Sequence, residues 1–308
     1  MNIISSNTLT NKQLKDIKSL EALCTTADNI SFGLFTEPEL NEYPDMPCFF
    51  MIYDNENSGL LAFLSMFVPG DDTAEITACT HPEYRQKGFF HALYNKAREI
   101  AVEFNILSLL FTNSPTQQTT LKVLAKYDAV LENTEYLLKY ESLEEYSVSS
   151  NTSNSVTNIT DNSTEFSKVY RLAPAMPDEL STHTDIFAAA FCYPHEAAKE
   201  FIDDILSSGS EIKVFSFTNT SAGKIIGCCF AEINDSQVMP FGICIHPKFQ
   251  CQKLGQYMVS LLINDYLLQY AKPILLQVSG SNENALHIYK KLGFKIASQV
   301  DYYSIDII

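Results

Sequence analysis

Gln237-Val238-Met239-Pro240-Phe241-Gly242-Ile243-Cys244-Ile245 runs into His246-Pro247-Lys248-Phe249, and then Gln250-Cys251-Gln252-Lys253-Leu254-Gly255-Gln256-Tyr257 opens an apolar helical pattern. An apolar strand that stops at a turn and feeds its chain into a helix places backbone N–H groups without intrahelical partners at one point, which is anion-binding architecture. The same unit occurs earlier: Glu75-Ile76-Thr77-Ala78-Cys79-Thr80 leads into His81-Pro82-Glu83-Tyr84-Arg85-Gln86-Lys87-Gly88-Phe89-Phe90. One constant shift carries His81 to His246, Pro82 to Pro247, Tyr84 to Phe249, Arg85 to Gln250, Leu110 to Leu275, Ser114 to Ser279 and Lys126 to Lys291. A shift held without a gap over about fifty positions indicates an internal duplication.

The chain has 308 residues, enough for two domains that each bury a core, and 46% of them are hydrophobic, with 20 Phe and 16 Tyr. A net charge of −16 disfavours nucleic acid and anionic membrane as partners and suits a cationic substrate; a soluble cytoplasmic surface explains it equally well. The first residues lack an export signal and no apolar run approaches membrane-spanning length, so a cytoplasmic protein is expected. The eight cysteines form no Cys-x-x-Cys pair and mostly sit in apolar runs, which fits buried free thiols and no metal site. Asn151, Asn158, Asn162 and Asn219 head Asn-x-Ser/Thr triplets, a simple product of an Asn/Ser/Thr-rich composition.

Read in order, Asn11 to Cys24 is a helix with Leu14, Ile17, Leu20 and Leu23 at helical spacing, and Phe49–Tyr53 and Leu60–Phe67 form a hairpin. After the strand ending at Thr80, Phe89, Leu93, Ala97, Ile100, Ala101 and Phe104 mark one apolar helix face. Ile106 to Phe111 is a buried strand, Gln117 to Lys126 a helix, and Tyr136 to Tyr140 a strand closing the first sheet. Residues 147–167 are dominated by Ser, Thr and Asn and read as a linker between domains 1–146 and 168–308. In the second half, Asp178–Phe191 and His195–Leu206 read as helices, Lys213–Phe217, Lys224–Ile233 and Ile274–Val278 as strands, Asn284–Leu292 as a helix, and Lys295–Ile307 as the closing strand. Interleaved strands and helices of this kind describe an α/β layer structure.

These residues resemble the GNAT superfamily of N-acetyltransferases in a tandem two-domain form, over nearly the whole chain except the linker and the first forty residues. The family's first signature is Gln/Arg-x-x-Gly-x-Gly/Ala between a strand and a helix, whose amides hold the pyrophosphate of acetyl-CoA. The first copy has Arg85 and Gly88 but Phe90 at the last position; the second has Gln250 and Gly255 but Lys253 at the middle one. The second signature is Asn-x-x-Ala-x-x-x-Tyr before Gly-Phe. Asn282, Ala285, Tyr289, Gly293 and Phe294 match it fully, whereas the first copy has Gln117, Thr120 and Leu124.

The resemblance implies two mixed α/β domains, each a mostly antiparallel sheet with a central parallel strand pair flanked by helices. It implies acetyl-CoA as cosubstrate without a metal, and direct transfer to an amine of a small molecule or peptide by a monomer or homodimer. Tyr289 would return a proton to the departing thiolate, a backbone N–H near Ile243 or Cys244 would hold the thioester oxygen, and the central strand would part from its neighbour to admit the pantetheine arm. Cofactor contacts would come from Ile243, Cys244, Ile245, Gln250, Cys251, Gln252, Lys253, Leu254, Gly255, Gln256 and Asn282, with Arg85 and Gly88 as their counterparts in the first copy. Glu232, at a strand end, is the candidate general base, although a solvated carboxylate explains it too; Asn282 is equally a helix cap. His81 and His246 read as turn residues, His195 as a helix start, and His287 as pointing away from Tyr289. Two other arrangements stay open: acetyl-CoA used in the N-terminal domain, or a non-catalytic acyl-CoA-sensing module.

Overall fold

The computed structural model describes residues 2–30, 33–54, 59–70, 72–141 and 163–307. Two compact units divide the chain: residues 1–134 with 300–308, and residues 135–299.

The first unit begins with β1 (Ile4–Ser6) and α1 (Asn11–Asp28), followed by β2 (Phe49–Tyr53), β3 (Leu60–Phe67) and β4 (Thr73–Thr80). Then come α2 (Phe89–Glu103), β5 (Ser108–Asn113), α3 (Gln118–Leu124) and the start of β6 (Val130–Tyr140). Thr10 and Gln13 close a capping box at the start of α1, satisfying two N–H groups that the helix itself cannot. Strands β1 to β5 lie in numerical order, antiparallel except for the β4–β5 pair, which is parallel from Thr73–Ser108 to Ile76–Phe111. All of β3 except Phe67 is buried, as a strand covered on both faces must be. Leu93, Ala97, Ile100 and Ala101 turn the apolar face of α2 onto this sheet and into the same core as Ile17, Leu20 and Leu124.

The second unit contains α4 (Ser163–Val169), β7 (Tyr170–Pro174), α5 (Leu180–Phe191), α6 (His195–Ser207), β8 (Glu211–Asn219), β9 (Lys224–Ile233) and β10 (Val238–Ile245). It continues with α7 (Leu254–Leu261), β11 (Leu275–Ser279), α8 (Glu283–Lys291) and most of β12 (Phe294–Asp306). Strands β7, β8, β9 and β10 form an antiparallel sheet in that order. Alternation along β9 separates two cores. Cys228 and Phe230 pack with Ile186, Phe187, Ala198 and Ile202 of α5 and α6; Cys229 and Ala231 pack with Leu254 and Met258 of α7, Tyr289 of α8 and Leu292 just beyond it.

Two segments sit elsewhere than their place in the duplicated sequence suggests. Tyr136–Tyr140 is expected to close the first sheet, but Glu135–Lys139 of this strand pairs antiparallel with β11 in the second unit, and Asp301–Asp306, from the expected closing strand of the second sheet, pairs antiparallel with β5 in the first. Of the expected linker, residues 147–162 lie outside the described residues, as do Asn151, Asn158 and Asn162, and Ser163–Val169 is helical. No helix of the described residues is long and apolar enough to cross a membrane.

Candidate functional site

In the second unit β10 and β11 touch through a single parallel bridge, Val238 with Ile274, backed by the Val238 N–H to Pro273 carbonyl bond of 2.9 Å. Beyond that point no ladder between them is continued among the described residues, so this edge of β10 is open there to another partner. In the first unit the parallel pairing of β4 and β5 lasts for four residue pairs, while β4 itself runs on to Thr80.

A β-bulge lies on the parted strand. Phe241 faces Phe230 and Cys244 faces Cys228, so Gly242 and Ile243 together oppose Cys229. Gly242 has φ +56, and a Cβ there would lie 2.7 Å from Cδ2 of Phe230, so both backbone and space demand glycine. The bulge re-aims the backbone at Ile243 and Cys244, the positions read as thioester-oxygen donors. Cys244 is buried with its Sγ 3.4 Å from that of Cys228. Neither thiol is placed as a nucleophile: both are buried, and the contact with the Cys244 sulfur, together with burial, pushes Cys228 well above the usual thiol range.

The turn after β10 is braced by side chains. Nδ1 of His246 accepts the Lys248 N–H at 3.2 Å, and Gln250 Nε2 donates to the Ile245 carbonyl at 2.8 Å. Cys251 and Lys253 are both left-handed at φ +60, and Lys253 is the residue from which α7 starts. The first copy repeats this conformation: Nδ1 of His81 accepts the Glu83 N–H at 3.3 Å, Arg85 Nε donates to the Thr80 carbonyl at 3.1 Å, and Gln86 and Gly88 are left-handed at φ +62 and +83. Arg85 also grips both carboxylate oxygens of Asp28, at 2.6 and 2.8 Å. Arg85 and Gln250 therefore tie the strand end to the turn with their side chains, which leaves the backbone N–H groups of the turn as the candidate anion donors. Alternating left-handed residues ahead of a helix start form a concave run of N–H groups, a shape suited to phosphate. A side chain at Gly255 would meet nothing closer than Ile245 Cγ1 at 3.9 Å, so the glycine leaves the helix start open; Phe90 occupies that place in the first unit and packs against Tyr94 and Tyr127.

Asn282 caps α8, its Oδ1 accepting the Ala285 N–H at 3.1 Å. Two turns on, Tyr289 is 8% exposed on the face that packs with Cys229, and its ring meets Phe294 edge-on at 5.8 Å. Burial, aided by Cys229, pushes the phenol's pKa above its ordinary value. No hydrogen bond to its hydroxyl occurs among the described residues. His287 is exposed, away from that face. Glu232 alternates with Ala231 and Ile233 and so lies on the α5–α6 side of the sheet, opposite to Tyr289. Leu124, the counterpart of Tyr289, is buried in the first core. Gly242, which the sequence reading did not single out, could have been found as an isolated glycine inside a strand pattern.

A family model described as an acetyltransferase (GNAT) domain matches residues 213–296, and one described as the acetyltransferase (GNAT) family matches residues 14–126. The chain is a tandem of two GNAT domains. It is an acyltransferase, and GNAT enzymes use acetyl-CoA. Among curated relatives, a ribosomal protein bS18-alanine N-acetyltransferase of Escherichia coli is 26% identical over 115 residues, covering 37% of this chain and 78% of that protein. Among solved structures, a GCN5-related N-acetyltransferase from Sphaerobacter thermophilus superposes with a TM-score of 0.71 at 12% identity, over 99% of this chain and 96% of that one. A tandem GNAT protein from the clavulanic acid biosynthesis pathway gives 0.64 at 14% identity, over 100% and 98%. These likenesses show the fold of the GNAT tandem.

Proposed function

We propose that the C-terminal GNAT domain transfers the acetyl group of acetyl-CoA directly to a primary amine of a small molecule or peptide. The observation that carries this reading is the combination, in one unit, of a parted and bulged central strand with a buried, neutral phenol on the helix that faces it. The N-terminal unit has Leu124 in place of the phenol and an aromatic side chain, Phe90, at the helix start.

The residues fit the cosubstrate. Backbone N–H groups from Cys251 to Gln256 offer an anion cradle for its pyrophosphate, with the Lys253 ammonium nearby as added positive charge. On the side away from β9, the stretch of β10 from Ile243 to Ile245 has no neighbouring strand among the described residues and offers hydrogen bonds to the amide-bearing arm. Acetyl-CoA supplies an activated acyl group as a thioester.

Held this way, the carbonyl carbon is exposed to a neutral amine. The new C–N bond forms as the C–S bond breaks. The N–H of Ile243 or Cys244 stabilises the negative charge on oxygen. The amine's extra proton leaves towards water or Glu232, and Tyr289 donates its proton to the thiolate. A phenol with a raised pKa remains protonated at neutral pH, as this role requires.

The likeness to a ribosomal-protein alanine acetyltransferase supports a peptide amine among the acceptors, and the charge of −16 favours cationic ones. Calorimetric titration of the full chain with acetyl-CoA tests the assignment. One site per chain is expected, abolished by Gly255→Glu and retained by Gly88→Glu, with both variants checked for folding by circular dichroism. Binding that survives Gly255→Glu and disappears with Gly88→Glu would move the chemistry to the N-terminal domain.

A further inference from the structure

Gly227 stands inside β9 and is not one of the left-handed glycines, so what it supplies is room for a close approach. It faces Ile245 across the β9–β10 ladder. A Cβ at this position would lie 2.6 Å from Cδ1 of Ile245, 2.8 Å from the Cys244 carbonyl oxygen and 3.4 Å from Sδ of Met258 on α7. The first of these atoms is the tip of a side chain. The second is backbone of the bulged strand and gives way only if that strand moves. From the other side, Cγ1 of Ile245 lies 3.9 Å from where a Cβ of Gly255 would be. Ile245 is buried, in one core cluster with Leu254 and Met258, and fills the space between the glycine on β9 and the glycine at the start of α7.

The first unit holds the same place with different side chains. The shift that carries His81 to His246 also carries Ala62 to Gly227, Thr80 to Ile245 and Phe90 to Gly255. The backbone is alike in both: Ala62 faces Thr80 as Gly227 faces Ile245, and the His81 N–H reaches the Leu61 carbonyl at 2.8 Å as the His246 N–H reaches that of Ile226 at 2.8 Å. Across this ladder Ala opposes the shorter Thr, and Gly opposes the longer Ile. Ile extends beyond Thr by Cδ1, the atom that a Cβ at 227 would strike, and Ala exceeds Gly by that same Cβ. One atom has in effect been moved from one strand to the other, and the space between them stays filled.

The position of this wedge gives it a consequence for the ligand. The stretch of β10 that ends at Ile245 is the one offered to the amide-bearing arm of acetyl-CoA, and the start of α7 is the one offered to its pyrophosphate. One molecule can make both contacts only at the right separation of strand and helix, and overfilling a packed space moves backbone.

We propose that Gly227 and Ile245 form a positioning pair for the cosubstrate, their combined size setting the spacing between β10 and the start of α7 at which arm and pyrophosphate are held together. The proposal rests on the placement of acetyl-CoA in the second unit.

The test is calorimetric affinity for acetyl-CoA and thermal unfolding of the full chain for Gly227→Ala, Ile245→Thr and the double variant, which carries the pair that the first unit has as Ala62 and Thr80. Gly227→Ala should weaken acetyl-CoA binding by about tenfold, and the double variant should recover at least about fivefold of that loss although Ile245→Thr alone does not tighten binding, a compensation that independent sites do not show. If Gly227→Ala fails to fold, the double variant, freed of the Cδ1 contact, should fold and bind at least as tightly as Ile245→Thr. Unchanged affinity in a folded Gly227→Ala, or a double variant that binds no better than Gly227→Ala or more weakly than Ile245→Thr, would overturn the proposal and leave the pair as core packing. Wild-type binding that Gly255→Glu leaves intact and Gly88→Glu abolishes would instead overturn the placement of acetyl-CoA beneath it.

Discussion

Replacing Tyr289 with Phe separates the catalytic role of this residue from its packing. The ring is buried, with edge-on contact to Phe294, and Phe keeps both features. No hydrogen bond to the hydroxyl occurs among the described residues, so its removal leaves no stranded partner, and stability should change by less than about 1 kcal/mol. A proton donor in the transition state contributes about a hundredfold to ten-thousandfold in rate. At about 1.4 kcal/mol per factor of ten, the variant should lose roughly 3 to 5 kcal/mol of barrier lowering with little change in acetyl-CoA affinity. Because burial raises the phenol's pKa, the acid stays loaded across the neutral range, and the wild-type rate should show no fall from this group below about pH 10. The same shift has a stability consequence. The buried neutral phenol contributes fully below the unfolded value of about 10, and that contribution is lost as pH rises through the higher folded value. Thiol release at saturating acetyl-CoA, with calorimetric binding and thermal unfolding on the same preparations, reads all three quantities. Turnover within about threefold of wild type against an accepted amine would refute the assignment of Tyr289 as the acid.

Gly242→Ala combines a left-handed backbone with a Cβ 2.7 Å from the Phe230 ring, and should cost about 2 to 5 kcal/mol in urea unfolding; a loss under about 1 kcal/mol would show that the bulge can relax. Leu124→Ala should lower stability by about 2 to 5 kcal/mol through lost packing in the first core while the folded enzyme keeps its turnover, and a selective loss of turnover with normal stability would give the N-terminal domain a part in the chemistry. His183 is fully buried, with Nε2 2.8 Å from Ser216 Oγ, which donates to Glu179 at 2.6 Å; the second ring nitrogen has no partner among the described residues, and burial lowers the pKa. The unfolded chain therefore takes up the proton first, so the neutral ring's contribution is present above about pH 6.5 and lost as pH falls below it. Thermal unfolding at pH 7.5 and 5.5 should show a smaller drop for His183→Gln than for wild type, and parallel drops would remove His183 as the cause.

Much of the candidate site was legible because its signals are local. The Asn282-to-Phe294 stretch carries its cap, its apolar face and its phenol within one helix and the turn that follows. The roles of Arg85 and Gln250 were less legible, since a side chain that reaches back to the Thr80 or Ile245 carbonyl looks in sequence like one that reaches for phosphate. Lys253 reads as a departure from glycine; only the backbone shows it holding the same left-handed conformation as Gly88. The close approach of Gly227 to Cys244, Ile245 and Met258 joins residues from two strands and a helix, a proximity that no sequence spacing contains.

From residue order alone came the duplication, the strand-turn-helix units and the helix that bears Tyr289, because hydrophobic period, glycine and proline placement and caps act within a few residues of one another. Which edge each closing strand joins was settled in three dimensions. Glu135–Lys139 has an alternation acceptable to any sheet edge of this kind, and the two halves of a duplicated chain present closely similar edges. Pairing energy comes from backbone hydrogen bonds and cross-strand contacts with whichever partner is reached, so the choice of β11 for that segment, and of β5 for Asp301–Asp306, belongs to the folded chain.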